Sequence, residues 1–156
     1  MYFDVIHTRT RCDTQVYRVL KPGSYFVSYE WVTTKMFDAN NKAHVQTVHD
    51  VVVGNALESM RSEKDVMNAA TAVGFEVVKI EDQALRSEVP WYSKLQRSAW
   101  SRAATQAALT VMEWLWLVPI GTSSVHLMLC KAADSLVQSG TDGIFTPMCT
   151  CVFRKP

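Results

Sequence analysis

Residues Tyr29-Glu30-Trp31 set two aromatic rings on either side of a carboxylate. Aromatic faces attract cations through their quadrupole, by about 0.5–2 kcal/mol each. A carboxylate in a dry pocket can accept a proton, and burial tunes the pH at which it does so. The triplet closes a run from Tyr25 to Trp31 that is rich in aromatic and β-branched residues and predicts a strand. Ligands of open α/β sheets bind outside the carboxyl ends of strands, so the triplet stands where a site is expected. Alternation along a strand puts Tyr29 and Trp31 on one face and Glu30 on the other. The three converge on one point only if the strand ends or bulges there. Otherwise they form a core strand with a capping acid.

Other residues carry weaker chemical signals. Asp38 either caps the helix that follows or faces a site. His44 falls one turn into that helix, where a histidine is either a surface residue or a proton acceptor. Asp82 ends a strand, where an acid terminates pairing or contacts a polar ligand group. Trp91 and Tyr92 offer flat apolar surface, suited to a core or to the wall of a cavity. His49 and His126 read as surface or core-edge residues. The cysteines are Cys12, Cys130, Cys149 and Cys151. The close pair is C-x-C, and no second pair or histidine cluster completes a zinc set, so no metal is expected and the thiols read as reduced.

Hydrophobic residues make up 48% of the 156 and charged residues 20%, with a net charge of +1. That is the balance of an ordinary globular protein. It lacks the concentrated basic excess of a nucleic-acid binder. The opening residues lack the apolar core of a signal peptide. The most apolar stretch, 103–118, is short for a bilayer span and contains Gln106 and Glu113. The stretch reads first as packing against a core, and Trp114 and Trp116 would also suit the surface of a membrane.

The elements that must position these residues can be read in order. Phe3 to Ile6 reads as a short strand, and Val16 to Lys21 as the end of a helix closed by Pro22 and Gly23. After the Tyr25 strand, Asn40 and Asn41 offer a cap for a helix over Lys42 to Asn55. Its buried face is expected at Ala43, Val48, Val51 and Val52. Ser62 and Asp65 form a capping box for a helix that runs to Val73 and stops at Gly74. Phe75 to Ile80 is the next strand. Strand, helix, strand implies a crossover connection and an α/β sheet. A helix of about twenty residues should end near Val118, another should run from Ser123 or Ser124 to Gly140, and Met148 to Arg154 is the last strand. These strands look like the second half of a larger sheet.

Val19-Leu20-Lys21-Pro22-Gly23 before an aromatic strand resembles the entry to the fifth strand of class I methyltransferases that use S-adenosylmethionine. Tyr29-Glu30-Trp31, Thr34, Phe37-Asp38, Asn40-Asn41 and His44 resemble a signature block of the sterol 24-C-methyltransferases. Gly74-Phe75-Glu76-Val77, Glu81-Asp82, Pro90-Trp91-Tyr92 with Leu95, Pro119 with Gly121-Thr122, Gly143 to Met148, and Arg154-Lys155-Pro156 continue the likeness in order. It covers residues 16–156.

The resemblance implies an α/β fold: the C-terminal half of a class I methyltransferase (Rossmann-like) sheet, with a helical insertion before the last strand. Residues 1–82 would be the C-terminal part of the core and 83–156 the sterol methyltransferase C-terminal region, in one continuous unit. It implies transfer of a methyl group from S-adenosylmethionine to the side-chain double bond of a sterol, without a metal. The carbocation so formed needs an apolar cavity, aromatic faces and a base. Glu30 and His44 would be catalytic. Tyr29, Trp31, Phe37, Asp38, Asp82, Trp91 and Tyr92 would line the substrate.

Expected partners are the sterol, a membrane surface contacted peripherally and a second copy of the chain, and no nucleic acid. The expected location is intracellular, in the cytoplasm or on the endoplasmic reticulum membrane. The sequence departs from the family in several places, among them residues 1–15, which lack the acidic and histidine-containing motif of its fourth strand, and an earlier aromatic-glycine motif that is absent. It has no glycine-rich loop to cradle the donor, so no donor-binding residue is assigned and activity of the chain alone is not expected. Gly54-Asn55-Ala56 stands where relatives carry an acid flanked by glycines. Two rival readings remain beside this one: a non-catalytic sterol or lipid binder, and an interaction module that completes its sheet with another chain.

Overall fold

The computed structural model describes residues 12–156. The strand expected at Phe3 to Ile6 lies outside them. A helix (α1) occupies 12–19 and is followed by the Pro22-Gly23 turn. The sheet strands are β1 (Tyr25–Thr33), β2 (Arg61–Ser62), β3 (Glu76–Asp82) and β4 (Phe145–Arg154). Their order is β2-β1-β4-β3. The last strand inserts between β1 and β3 and runs antiparallel to both, while β2 is parallel to β1. The helices are α2 (Lys42–Gly54), α3 (Glu63–Val73), α4 (Ala99–Trp114) and α5 (Thr122–Thr141).

Local chemistry explains most of the boundaries. The Asn41 side chain accepts from the Ala43 N–H and starts α2. Ser62 and Asp65 exchange hydrogen bonds in a full capping box that starts α3, and Gly74, in the left-handed region, ends it. The buried face of α2 centres on Val48 and Val51. Ala43, expected on that face, is exposed. Gly54 does more than weaken the helix end. A Cβ there would lie 2.9 Å from the Ala132 Cβ of α5, so the missing side chain lets the two helices touch. The expected twenty-residue helix is 16 residues long. It stops at Trp114, and Trp116 turns into the left-handed region at φ 60°.

Two layers flank the sheet. On one face Val32, Val66, Ala70, Phe75, Cys149, Cys151 and Phe153 form the core, with Tyr17 and Leu20 of the first segment packed against it. Tyr17 meets Phe75 edge-on at 4.9 Å. Full burial of a side chain such as Phe75 contributes about 1.5–3 kcal/mol. Lys155 fastens the C-terminus to that layer: its Nζ donates to the Tyr17 and Leu20 carbonyls at 2.7 and 2.8 Å. The paired helices α2 and α5, with buried Ile144 and Phe145, form the second layer. The hairpin of α4 and α5 is the helical insertion, standing between β3 and β4 in sequence.

Candidate functional site

The β1–β4 ladder is regular from Tyr25–Arg154 to Glu30–Cys149 and then shifts, so that Val32 pairs with Thr146. The extra residue lies on β4, where Pro147 and Met148 oppose Trp31. Proline has no N–H for the ladder, and a bulge is where a sheet tolerates it. Alternation along β1 therefore survives. Trp31 and Tyr29 stay on one face, while Glu30 lies on the face of Cys149 and Cys151.

All three still border one cavity of about 510 Å³, together with Ala56, Glu58 and Arg61. The sheet edge explains this. On its outer side β1 pairs with β2 only through Val32 and Thr33, so residues 29–31 meet the 56–61 segment across an opening reachable from both faces. Arg61 approaches Glu30 at 3.9 Å, with both side chains 17% exposed. The strand end, not the bulge, brings the triplet together.

A second cavity of about 530 Å³ lies across the sheet end, bordered by Thr34, Asp82, Trp91, Tyr92, Phe145 and Thr146 among others. An aromatic chain connects the two. Trp31 meets Phe145 edge-on at 5.4 Å, Phe145 meets Trp91 at 5.7 Å, and Trp91 meets Tyr92 at 5.5 Å. Gly140 of α5 seats this pair: a Cβ there would fall 2.9 Å from the Trp91 ring and would collide with Tyr92. Both volumes fall in the range of small-molecule sites, roughly 300–1,000 Å³.

Asp82 has a structural duty at the cavity rim. Its Oδ1 accepts from the Ala84 N–H at 2.9 Å and from the Thr146 hydroxyl at 2.8 Å, which starts the 3₁₀ turn Gln83–Arg86 and holds it to β4. Phe37, Asp38 and His44 form a third group, bordering neither cavity. The His44 Nδ1 accepts from the Asp38 N–H at 3.2 Å, Asp38 Oδ1 accepts from the Asn40 N–H at 2.8 Å, and the Phe37 ring lies 6.4 Å from His44. They brace the turn between β1 and α2. Thr34 ties the start of that turn to the lead-in of β4, donating to the Gly143 carbonyl at 2.6 Å.

The structure adds Phe145 and Arg61 to the residues singled out from the sequence. Phe145 stood inside a recognised motif, but nothing local showed that it would link two cavities. Arg61 has no signal beyond its charge. Beneath the site, Cys149 and Cys151 hold their sulfurs 3.9 Å apart as free thiols. Burial pushes the Cys149 thiol up to about 12, with the neighbouring Cys151 adding to the shift. Cys151 is raised too, first by burial. Both are packing groups rather than nucleophiles. Among the described residues no group of three His, Cys, Asp or Glu could hold a metal ion.

Residues 92–156 match the family described as sterol methyltransferase C-terminal. Over 91% of its length the chain is 40% identical to 24-methylenesterol C-methyltransferase 2 of Oryza sativa. The chain belongs to the sterol methyltransferase family.

It is also 39% identical to cycloartenol-C-24-methyltransferase 1 of Oryza sativa across 93% of the chain, and 38% identical to the sterol 24-C-methyltransferase of Eremothecium gossypii across 91%. As a sterol methyltransferase homologue it spans less than half the length of these relatives: 39%, 45% and 43% of each. A solved structure from Galdieria sulphuraria, assigned as a sarcosine dimethylglycine methyltransferase, superposes on 94% of the chain and 47% of its own, with a TM-score of 0.61 at 17% identity. The expected fold, part of a class I methyltransferase sheet with a helical insertion, is the fold observed.

Among the described residues of this family member no three glycines cluster in sequence. Its glycines are dispersed: Gly23 and Gly143 in turns, Gly54 and Gly140 in helix contacts, Gly74 and Gly121 at helix ends. The N-termini of α2, α3 and α4 are capped by Asn41, Ser62 and Ser98. That of α5 is held by the Glu113 carboxylate, which accepts from the Ser123 N–H at 2.6 Å.

Proposed function

We propose that this chain is the substrate-side part of a sterol C-methyltransferase, the part that receives the sterol side chain whose double bond at C24 is methylated. The observation that carries the reading is the convergence of Tyr29, Glu30 and Trp31 on one cavity at the carboxyl end of β1, joined through Phe145 to the Trp91–Tyr92 cavity. Flat aromatic walls suit a rigid apolar substrate and a cationic carbon. Glu30, held beside Arg61 with little exposure, is the acid placed to balance that charge or take up the proton. Tyr29, Trp31, Trp91 and Tyr92 line the substrate, and Asp82 fixes the rim. Phe37, Asp38 and His44 act from the turn beside the site, with His44 as the second base. Relatives act with S-adenosylmethionine as methyl donor. This chain alone does not turn over, because its sequence carries no glycine-rich donor loop. The location in keeping with this role is the cytoplasm or the surface of the endoplasmic reticulum.

Calorimetry on the full chain tests the reading. A sterol with a side-chain double bond should bind, Trp31→Ala should weaken binding about tenfold through loss of aromatic contact, and S-adenosylmethionine should give no heat. Micromolar binding of the donor, or sterol binding unchanged by Trp31→Ala, would count against it. One observation favours a second reading, an interaction module. Among the described residues the outer edge of β1 is paired only at Val32 and Thr33, which leaves a template for another chain's strand. Binding of neither ligand would favour that module.

A further inference from the structure

A cysteine, a histidine and a glutamine meet on the seam of the α4–α5 hairpin, away from the proposed substrate site. His126 and Cys130 stand one turn apart on α5 and so share a face of that helix. The Cys130 Sγ lies 3.6 Å from the His126 Nε2, and the His126 Nδ1 lies 2.7 Å from the Gln106 Oε1 of α4. All three residues are half-buried, and none borders either cavity.

These partners fix where the proton sits. A glutamine carbonyl oxygen can only accept, so the Nδ1 facing it carries the hydrogen and donates. In a neutral imidazole the other nitrogen then holds a lone pair. That nitrogen, Nε2, faces the Cys130 thiol and accepts from it. A base oriented by a third group and set against a thiol is the arrangement that activates a sulfur nucleophile.

A tie between helices accounts for only part of this. Helix α4 buries no residue, and hydrogen bonds from Arg102 to Asp134, from Ser123 to Glu113 and from His126 to Gln106 hold it to α5. The last of these uses one ring nitrogen and has no need of a sulfur at the other. From residue 103 to residue 130 the sequence contains a single Asp, Glu, Lys or Arg, which is Glu113, and Ser123 engages both of its oxygens. No carboxylate of this stretch therefore competes for the imidazole. Cys149 and Cys151 are buried against each other, whereas Cys130 is partly exposed. Half-burial at the seam favours a small neutral electrophile over a bulky one.

We infer that Cys130 is a modification site at which a hydroperoxide oxidises the thiol, with His126 as the base and Gln106 as the group that orients it. His126 Nε2 takes the thiol proton as the sulfur attacks the O–H oxygen of the peroxide. The S–O bond forms and the O–O bond breaks. The departing hydroxide or alkoxide takes the proton from the imidazole and leaves as water or alcohol. Sulfur is oxidised to a sulfenic acid and the peroxide is reduced. This does not depend on the sterol or methyl-transfer reading.

The test treats the full chain with hydrogen peroxide, traps sulfenic acid with dimedone and follows the Cys130 peptide by mass spectrometry over time. Cys130 should be oxidised about tenfold faster in the folded chain than in guanidinium chloride, where the three side chains no longer meet. A half-buried thiol without a base would react more slowly when folded, so the sign of this ratio decides without any variant. His126→Asn should lower the folded rate about tenfold or more, since an amide cannot take the proton. Gln106→Glu, which accepts at the same place, should keep the rate, and Gln106→Leu should lower it. Circular dichroism checks that each variant keeps its fold. Oxidation slower in the folded chain than in the unfolded one, or a rate unchanged in folded His126→Asn, would overturn the inference. A rate lost in Gln106→Glu as fully as in Gln106→Leu would overturn the part given to Gln106.

Discussion

The sheet and the α4–α5 hairpin use the same kinds of residue to opposite ends. In the sheet, Phe75, Phe145 and Phe153 are at most 3% exposed, and the strand that carries two of them is walled by partners on both sides. In the hairpin, tryptophans, leucines and an isoleucine of equal hydrophobicity face outward. Stability is therefore concentrated in the sheet and its two layers, and the hairpin is attached to it through α5. An apolar side chain contributes to folding only where a neighbour removes it from water. Composition cannot reveal which of the two regions a given tryptophan serves.

The largest effect that would sharpen this contrast is at Phe145. Phe145→Ala should cost about 3–5 kcal/mol in urea unfolding, because the residue is buried and joins Trp31 to Trp91. Trp116→Ala should stay within about 0.5 kcal/mol, and a larger loss there would mean that the tip is part of the core after all. Next in size is the seam between the regions. Gly54→Ala places a Cβ 2.9 Å from Ala132 and should cost about 1–3 kcal/mol by overpacking. If it is neutral, α5 is free to shift and the attachment is looser than the structure shows.

Smaller effects test the local devices. Ser62→Ala removes the capping box of α3 and should cost about 1 kcal/mol. Ala56 sits at φ 52°, beside the first cavity, where relatives were expected to carry glycine. Ala56→Gly should relieve strain and raise the unfolding midpoint slightly, by about 1 kcal/mol or less. The thiols give a pH test of the same contrast. Cys149 titrates near 12 when folded, above its ordinary value of 9.0. Its neutral form therefore supports the fold below pH 9, and that support is lost progressively as pH rises from 9 toward 12. Cys149→Ala should flatten that alkaline slope. Native alkylation should label exposed Cys12 and spare Cys149 and Cys151.

Much of the fold could be read from single residues because the signals are local. Asn41 and the Ser62–Asp65 pair announced two helix starts, Gly74 a helix end, and the Tyr25 run a strand, each by chemistry complete within four residues. The site was legible only as a set of names. Glu30 was expected to leave the face of its aromatic neighbours, and it does. The cavity accommodates this because β1 has an edge there, a fact that depends on where the chain places β2. His44 and Asp38 were read with Glu30 because they share its signature block, but the turn between β1 and α2 folds their hydrogen bonds onto each other. Trp116 lies beyond the end of α4, in the left-handed region, where helical periodicity had extended the helix to Val118.

The sequence by itself determined the kind of protein: an α/β chain with capped helices, a signature triplet at a strand end, and no glycine cluster for a donor. Those properties depend on residue identity and short spacing. The tertiary structure decided that β4 inserts between β1 and β3 and that Pro147 shifts its register. It also decided that Phe145 bridges two cavities and that the tryptophans of the hairpin face outward. Each of these joins residues distant in the chain, and such contacts are fixed by how layers pack rather than by any local preference.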